Sequence, residues 1–193
     1  MELAALYRKS VSDFVDRAER IGPQQWSAPT PCQDWTVREL LNHIVSEDRW
    51  MVPLFAGQAI EEVGDRFDGD VLGSDPVGNA VEAAKQAEAA VSEPGAMERT
   101  VQLSFGPTQA REYVEQMLAE NLVHTWDLAA ATGTDRRLDP ESVHECTQWF
   151  VDREELYRQS GGIGPRLNVP ENATDQDRLL AAFGRDPGWS PPA

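Results

Sequence analysis

Glu120 and His124 stand four residues apart in the stretch Glu120-Asn121-Leu122-Val123-His124-Thr125-Trp126-Asp127. On a helix that spacing sets them roughly 40° apart around the axis, and Asp127 returns to within about 20° of Glu120. The three therefore form one polar stripe. Their segment is otherwise apolar on most sides, with Tyr113, Val114, Met117, Leu118, Leu122, Val123, Trp126 and Leu128. A second histidine, His43, is embedded in Leu40-Leu41-Asn42-His43-Ile44-Val45, with Glu47 four residues on. A carboxylate inside a helical bundle is costly unless it is paired or bound to a cation. Two imidazoles and one carboxylate (His43, Glu120 and His124) would hold a divalent ion and leave coordination positions open to water or substrate. The mixed nitrogen and oxygen set admits zinc, and also nickel, iron or manganese. Asp127 is expected to orient His124 from behind rather than to act as a fourth ligand.

A Glu-x-x-x-His pair also occurs on solvated helix faces, where it makes a local hydrogen bond. The placement of two of only three histidines on the two most apolar segments favours the interior reading. His144, beside Glu145, has no such setting and is expected at the surface. Glu47 is expected at the surface or behind the site. Cys32, in Thr30-Pro31-Cys32-Gln33-Asp34-Trp35, reads as a small buried residue, with a thiolate ligand as the alternative. Trp26, Trp35, Trp50 and Trp126 are expected in the core. No Gly-rich phosphate loop follows a strand, and no Ser/His/Asp arrangement is legible.

The elements that must position these residues are helical. Leu3, Leu6, Tyr7, Val11, Phe14, Val15 and Ala18 give a helix over Glu2–Ile21, ended by Gly22-Pro23. Thr36 and Glu39 form a capping-box pattern at the head of the helix that carries His43 and runs toward Phe55. Pro53 should kink or end that helix. A helical turn is expected near Ile60–Val63 inside the Gly- and Asp-rich stretch Gly57–Asp75, which could be a lid or a partner surface. Asp75 and Pro76 start a third, Ala-rich helix to Val91. Thr100–Phe105 alternates as a short extended segment. The central helix should span Thr108–Thr132, with Gly133 just past its end. Further helices are expected at Pro140–Gln159, capped by Asp139, and at Thr174–Phe183. With no repeats and no dividing linker, residues 1–193 read as one all-α domain, a four-helix bundle with short accessory helices.

Composition narrows the partners. With 17 basic against 33 acidic residues the net charge is −16. That balance argues against a general nucleic-acid binder and against docking on anionic membrane. No apolar run is long enough to span a bilayer, and the charged start is unlike a signal peptide. Two cysteines make no disulfide framework, so a cytoplasmic protein with reduced thiols is expected.

Three stretches resemble the amino-terminal domain of mycothiol-dependent maleylpyruvate isomerase, within the DinB-like superfamily of metal-binding bundles. They are Thr30–His43, Glu120–Ala129 and the ending Asp177–Pro187, in the expected order across almost the full length. The resemblance implies a DinB-like four-helix bundle with one long connection, and one divalent ion, zinc foremost, on His43, Glu120 and His124. It also implies a low-molecular-weight thiol cosubstrate, activated for attack on an electrophilic carbon. The isomerase carries a further carboxy-terminal domain for which this sequence leaves no room. Thiol transfer to an electrophile is therefore expected ahead of maleylpyruvate isomerisation. The alternatives are a metal-binding or sensing bundle without turnover, and a structural bundle that forms a homodimer through an apolar helix face.

Overall fold

The structure is a computed structural model and describes residues 2–192. Four long helices carry it: α1 (Leu3–Ala18), α2 (Val37–Phe55), α4 (Pro76–Ser92) and α5 (Ala110–Thr132). The short α3 (Ile60–Val63) lies between α2 and α4. The hairpin strands β1 (Thr100–Leu103) and β2 (Gly106–Gln109) lie between α4 and α5. After α5 come α6 (Pro140–Phe150), α7 (Glu154–Gln159) and α8 (Asp175–Ala182). The all-α expectation is met, with this two-stranded ribbon as the sheet among the described residues.

The long helices touch in a ring: α1 against α5, α5 against α2, α2 against α4, and α4 against α1. On the far side of α5, α6 packs against it and α8 packs against α6. This second layer explains why α5 is apolar nearly all round. Its buried residues run from Ala110 to Ala131 on every side, because bundle and outer layer both press on it. Pressed by α1, α2 and α6, the helix is held by packing more than by its own propensity.

Helix starts follow the side-chain chemistry. Thr36 accepts from the Glu39 amide, while the Glu39 carboxylate accepts from the Thr36 amide at 2.7 Å. Asp75 caps α4 through the Gly78 amide, Asp139 caps α6 through the Ser142 amide, and Thr174 caps α8 through the Asp177 amide. Gly133 ends α5 in the left-handed region, at φ 72°, where a side chain would be strained.

Three details differ from the sequence reading. The alternating stretch at Thr100 pairs with Gly106–Gln109 as a hairpin, and this delays α5 from Thr108 to Ala110. The single helix expected over Pro140–Gln159 breaks after Phe150. There Arg153 turns back onto the Trp149 carbonyl and the Glu112 carboxylate of α5, and Tyr157 folds against the Trp149 and Phe150 rings. Periodicity alone cannot register such a bend, because both halves keep the same apolar repeat. Pro53 lies inside α2, which continues two more residues; a proline so near the C-terminal end removes little of the hydrogen-bond ladder.

Gly57–Asp75 is tied down against α2. The Asn42 side chain donates to the Gly69 carbonyl and accepts from the Val71 amide, both at 2.9 Å. The Arg38 guanidinium donates to Asp70 and to the Gly73 carbonyl. The Ser46 hydroxyl donates to the Phe67 carbonyl. No helix among the described residues is long and apolar enough to cross a membrane.

Candidate metal centre

His43 projects from the middle of α2, and Glu120 and His124 project from α5. The α2–α5 packing brings the three together across 77 residues of sequence. The Nε2 atoms of both imidazoles face the same carboxylate oxygen, Oε2 of Glu120, at 3.4 Å from His43 and 3.2 Å from His124. One ligating atom from each residue lies within 4.8 Å of the others. For a tetrahedral zinc with bonds of about 2.0–2.1 Å, neighbouring ligand atoms stand about 3.3–3.4 Å apart. The two imidazole–carboxylate separations are close to that edge, and two imidazoles with one carboxylate fit a divalent ion in their chemistry.

Behind the group lies a buried charged chain. Asp127 is fully buried, and the His124 Nδ1–H donates to its Oδ2 at 2.9 Å. The Arg185 guanidinium, from the segment after α8, donates to both Asp127 oxygens at 3.0–3.1 Å. Arg185 also donates to the Phe183 carbonyl. Asp127 thus fixes the tautomer of His124 and leaves Nε2 facing the group. Burial works against a charged His124 ring, but the hydrogen bonds to Asp127 and Glu120 outweigh it and hold the ring up at about 9. Burial likewise works to raise Glu120, and the hydrogen bonds from His124 and His43 overcome it, keeping the carboxylate well below its usual range.

Trp35 covers both imidazoles. Its ring centroid is 4.8 Å from that of His43 and 5.8 Å from that of His124, nearly parallel to the latter. A tight turn sets it there: the Thr30 amide donates to the Trp35 carbonyl, the Trp35 amide donates to the Cys32 carbonyl, and Asp34 takes φ 67°. Aspartate tolerates that left-handed geometry better than most residues. A cleft of about 550 Å³ opens beside the group, lined by Trp35, Arg38, Asn42, His43, Phe67 and Asp70, among others.

The structure brings together His43, Glu120 and His124, and sets Asp127 behind His124 as its spacing suggested. His144 is exposed. Glu47 is half-buried one turn beyond His43, and burial pushes its carboxyl up. Cys32 is not among the converging ligand atoms; burial pushes its thiol up to about 11, opposed by the nearby Arg185. Two neighbours escaped the sequence reading. Trp35, expected in the core, is half-buried at the cleft, and Arg185 carried no signal beyond membership of a recurring terminal stretch.

The profile described as "Mycothiol maleylpyruvate isomerase N-terminal domain" matches residues 7–129. That span contains His43, Glu120, His124 and Asp127. Two uncharacterized proteins of Mycobacterium tuberculosis, from strains CDC 1551 / Oshkosh and H37Rv, are similar to the chain. Each is 32% identical over 194 residues, covering 96% of this chain and 98% of its own length. No solved structure matches significantly. With two helices of the matched span meeting at the histidine–carboxylate group, the chain belongs to the mycothiol maleylpyruvate isomerase N-terminal domain family.

Proposed function

We propose that the protein binds a divalent metal ion, zinc foremost, through His43, Glu120 and His124, and uses it in thiol chemistry. The carrying observation is the convergence of three ligating atoms within 4.8 Å beside an open cleft. The ion, when bound, supplies a positive centre that lowers the pKa of a small thiol so that its sulfur is nucleophilic near neutral pH. The protein's own residues do the rest. Asp127 holds His124 in the tautomer that presents Nε2, and the Arg185 guanidinium holds Asp127 in place. Trp35 fixes the planes of both imidazoles and shields one side from water. The polar cleft under residues 67–70 receives the thiol, which gives its proton to solvent, and the sulfur forms a bond to an electrophilic carbon of a second small molecule as that carbon's bond to a halide or epoxide oxygen breaks. Family membership supports a mycothiol-type thiol as the donor. An S-transferase or an isomerase fits this scheme, with small molecules as partners rather than nucleic acid, given the −16 charge.

The test begins with elemental analysis of the purified protein. We expect about one divalent ion per chain, lost in His124→Ala while the helical circular-dichroism signal persists. Full metal content in that variant would overturn the ligand assignment. Turnover of an epoxide or haloarene is then expected only with metal and thiol together. A loaded protein that turns over nothing across a thiol and electrophile panel would instead be a binding or sensing bundle.

A further inference from the structure

Two hollows of different lining lie along α2, one beside His43 and one beginning a turn further on at Glu47. One is the polar cleft already described. The other, of about 260 Å³, lies between α2, α5, α3 and the turn of the β1–β2 hairpin. Its walls are Trp50, Leu54, Ile60, Leu103, Phe105 and Tyr113. Ser104 lines it at the hairpin turn, and from the helices two polar side chains, Glu47 and Gln116, also line it. Both lie toward the metal-ligating group: Glu47 follows His43 by one turn of α2, and Gln116 precedes Glu120 by one turn of α5. A helical turn is about 5.4 Å, so this hollow begins within one substituent's length of the three ligands. The electrostatic coupling of Glu47 to His43, Glu120 and His124 reflects the same nearness. The hollows are partitioned by an aromatic contact: Trp50 of the apolar one meets Phe67 of the polar one edge to face, with centroids 5.8 Å apart.

The geometry points to the apolar hollow as the seat of the second substrate, a neutral single-ring aromatic electrophile. This rests on the thiol reading of the metal-ligating group, and it adds the chemical class of the other reactant. Size sets the ring count. A dry cavity of roughly 150 Å³ accepts benzene, so the present one takes one substituted ring and little more. Charge sets the neutrality. The lining contains carboxylate and amide but no arginine or lysine, and an anionic substituent would lie against Glu47 with Glu120 beyond it. Aromatic walls supply the contact area. Phe105, 72% exposed at the hairpin tip, is a large apolar ring held in water at the mouth, where a bound ring would cover it. Glu47 offers an acceptor to a hydroxyl at the end of the ligand nearest the ligating residues.

The experiment measures binding rather than turnover. Saturation-transfer NMR on the full chain, with and without added zinc, uses 4-nitrotoluene, 4-nitrobenzyl alcohol and 4-nitrobenzoate as probes. The two neutral rings are expected to bind, the alcohol more tightly, and the benzoate at least about tenfold more weakly. Leu103→Trp fills the hollow from its half-buried rim and should abolish binding. Phe105→Ala, at an exposed position where folding is not at risk, should weaken it several-fold. Glu47→Leu should erase the preference for the alcohol over the toluene. Asp16→Asn, exposed on α1 away from both hollows, should change nothing. Benzoate binding equal to that of the neutral rings would overturn the proposal. So would undiminished binding in both Leu103→Trp and Phe105→Ala, a loss in Asp16→Asn, or no binding of any probe. Probe binding needs neither ion nor thiol. A chain that holds no metal but binds the rings contradicts the thiol reading, whereas a loaded, thiol-active chain that binds no ring contradicts only this seat.

Discussion

His124 is gripped from both sides, by Asp127 at Nδ1 and by Glu120 at Nε2, and this double hold would make the proposed metal binding a proton exchange. An imidazole must be neutral to ligate. Without an ion the His124 ring is held up at about 9, so metal loading at pH 7 must expel a proton. Apparent metal affinity should therefore climb by about tenfold per pH unit across neutrality and level off above about pH 9. Calorimetry in two buffers of different ionisation enthalpy reads the released proton, expected near one per ion at pH 7 and near zero at pH 10. Asp127→Asn tests the support. It should weaken metal affinity by about 10–100-fold in a chelator competition. It should also lower stability by roughly 3 kcal/mol, because Arg185 loses its buried counter-charge. The stripe of Glu120, His124 and Asp127 was legible in the sequence because helical period alone puts them on one face. Arg185 was not, since an arginine 58 residues away announces nothing until the tertiary fold delivers it.

At the scale of elements, caps and periods read well because they are local. Thr36, Asp75, Asp139 and Thr174 each start the helix that their side chains imply. The break between α6 and α7 depends on a distant partner, Glu112, and the second hairpin strand, Gly106–Gln109, has no apolar alternation of its own, so local pattern missed both. One buried acid also escaped notice. Asp48 of α2 is 2% exposed in the contact with α1, where the Tyr7 hydroxyl donates to it at 3.3 Å. Burial pushes its carboxyl up to about 8, against the opposing pull of that hydrogen bond. The folded state thus favours the protonated acid. That contribution is complete below the unfolded value near 4 and is lost as pH rises toward 8. Asp48→Asn, neutral throughout, should be more stable than the parent by on the order of a few kcal/mol at pH 8 and by much less at pH 5. Urea titrations at the two pH values check this, and equal gains at both would contradict it.

For the whole molecule, the excess of acid is a self-repulsion spread over the surface. Raising sodium chloride from about 0.02 to 0.5 M shortens the Debye length from tens of ångströms to a few, and should raise the melting temperature by several degrees. A melting temperature that falls with salt would mean that surface ion pairs such as Arg38–Asp70 and Arg99–Glu93 outweigh the repulsion. The ring of α1, α5, α2 and α4 was within reach of sequence patterning; the outer layer of α6 and α8 and its task were not. That layer carries Phe183 and Gly184 into place and so delivers Arg185 to Asp127. The order in which a ribosome releases the chain then matters. Asp127 leaves it with His43, Glu120 and His124 already made, but 58 further residues must follow before its cation exists. A nascent chain halted in that interval holds a carboxylate with no guanidinium to justify its burial. The core around His124 can close for good only when synthesis has reached residue 185.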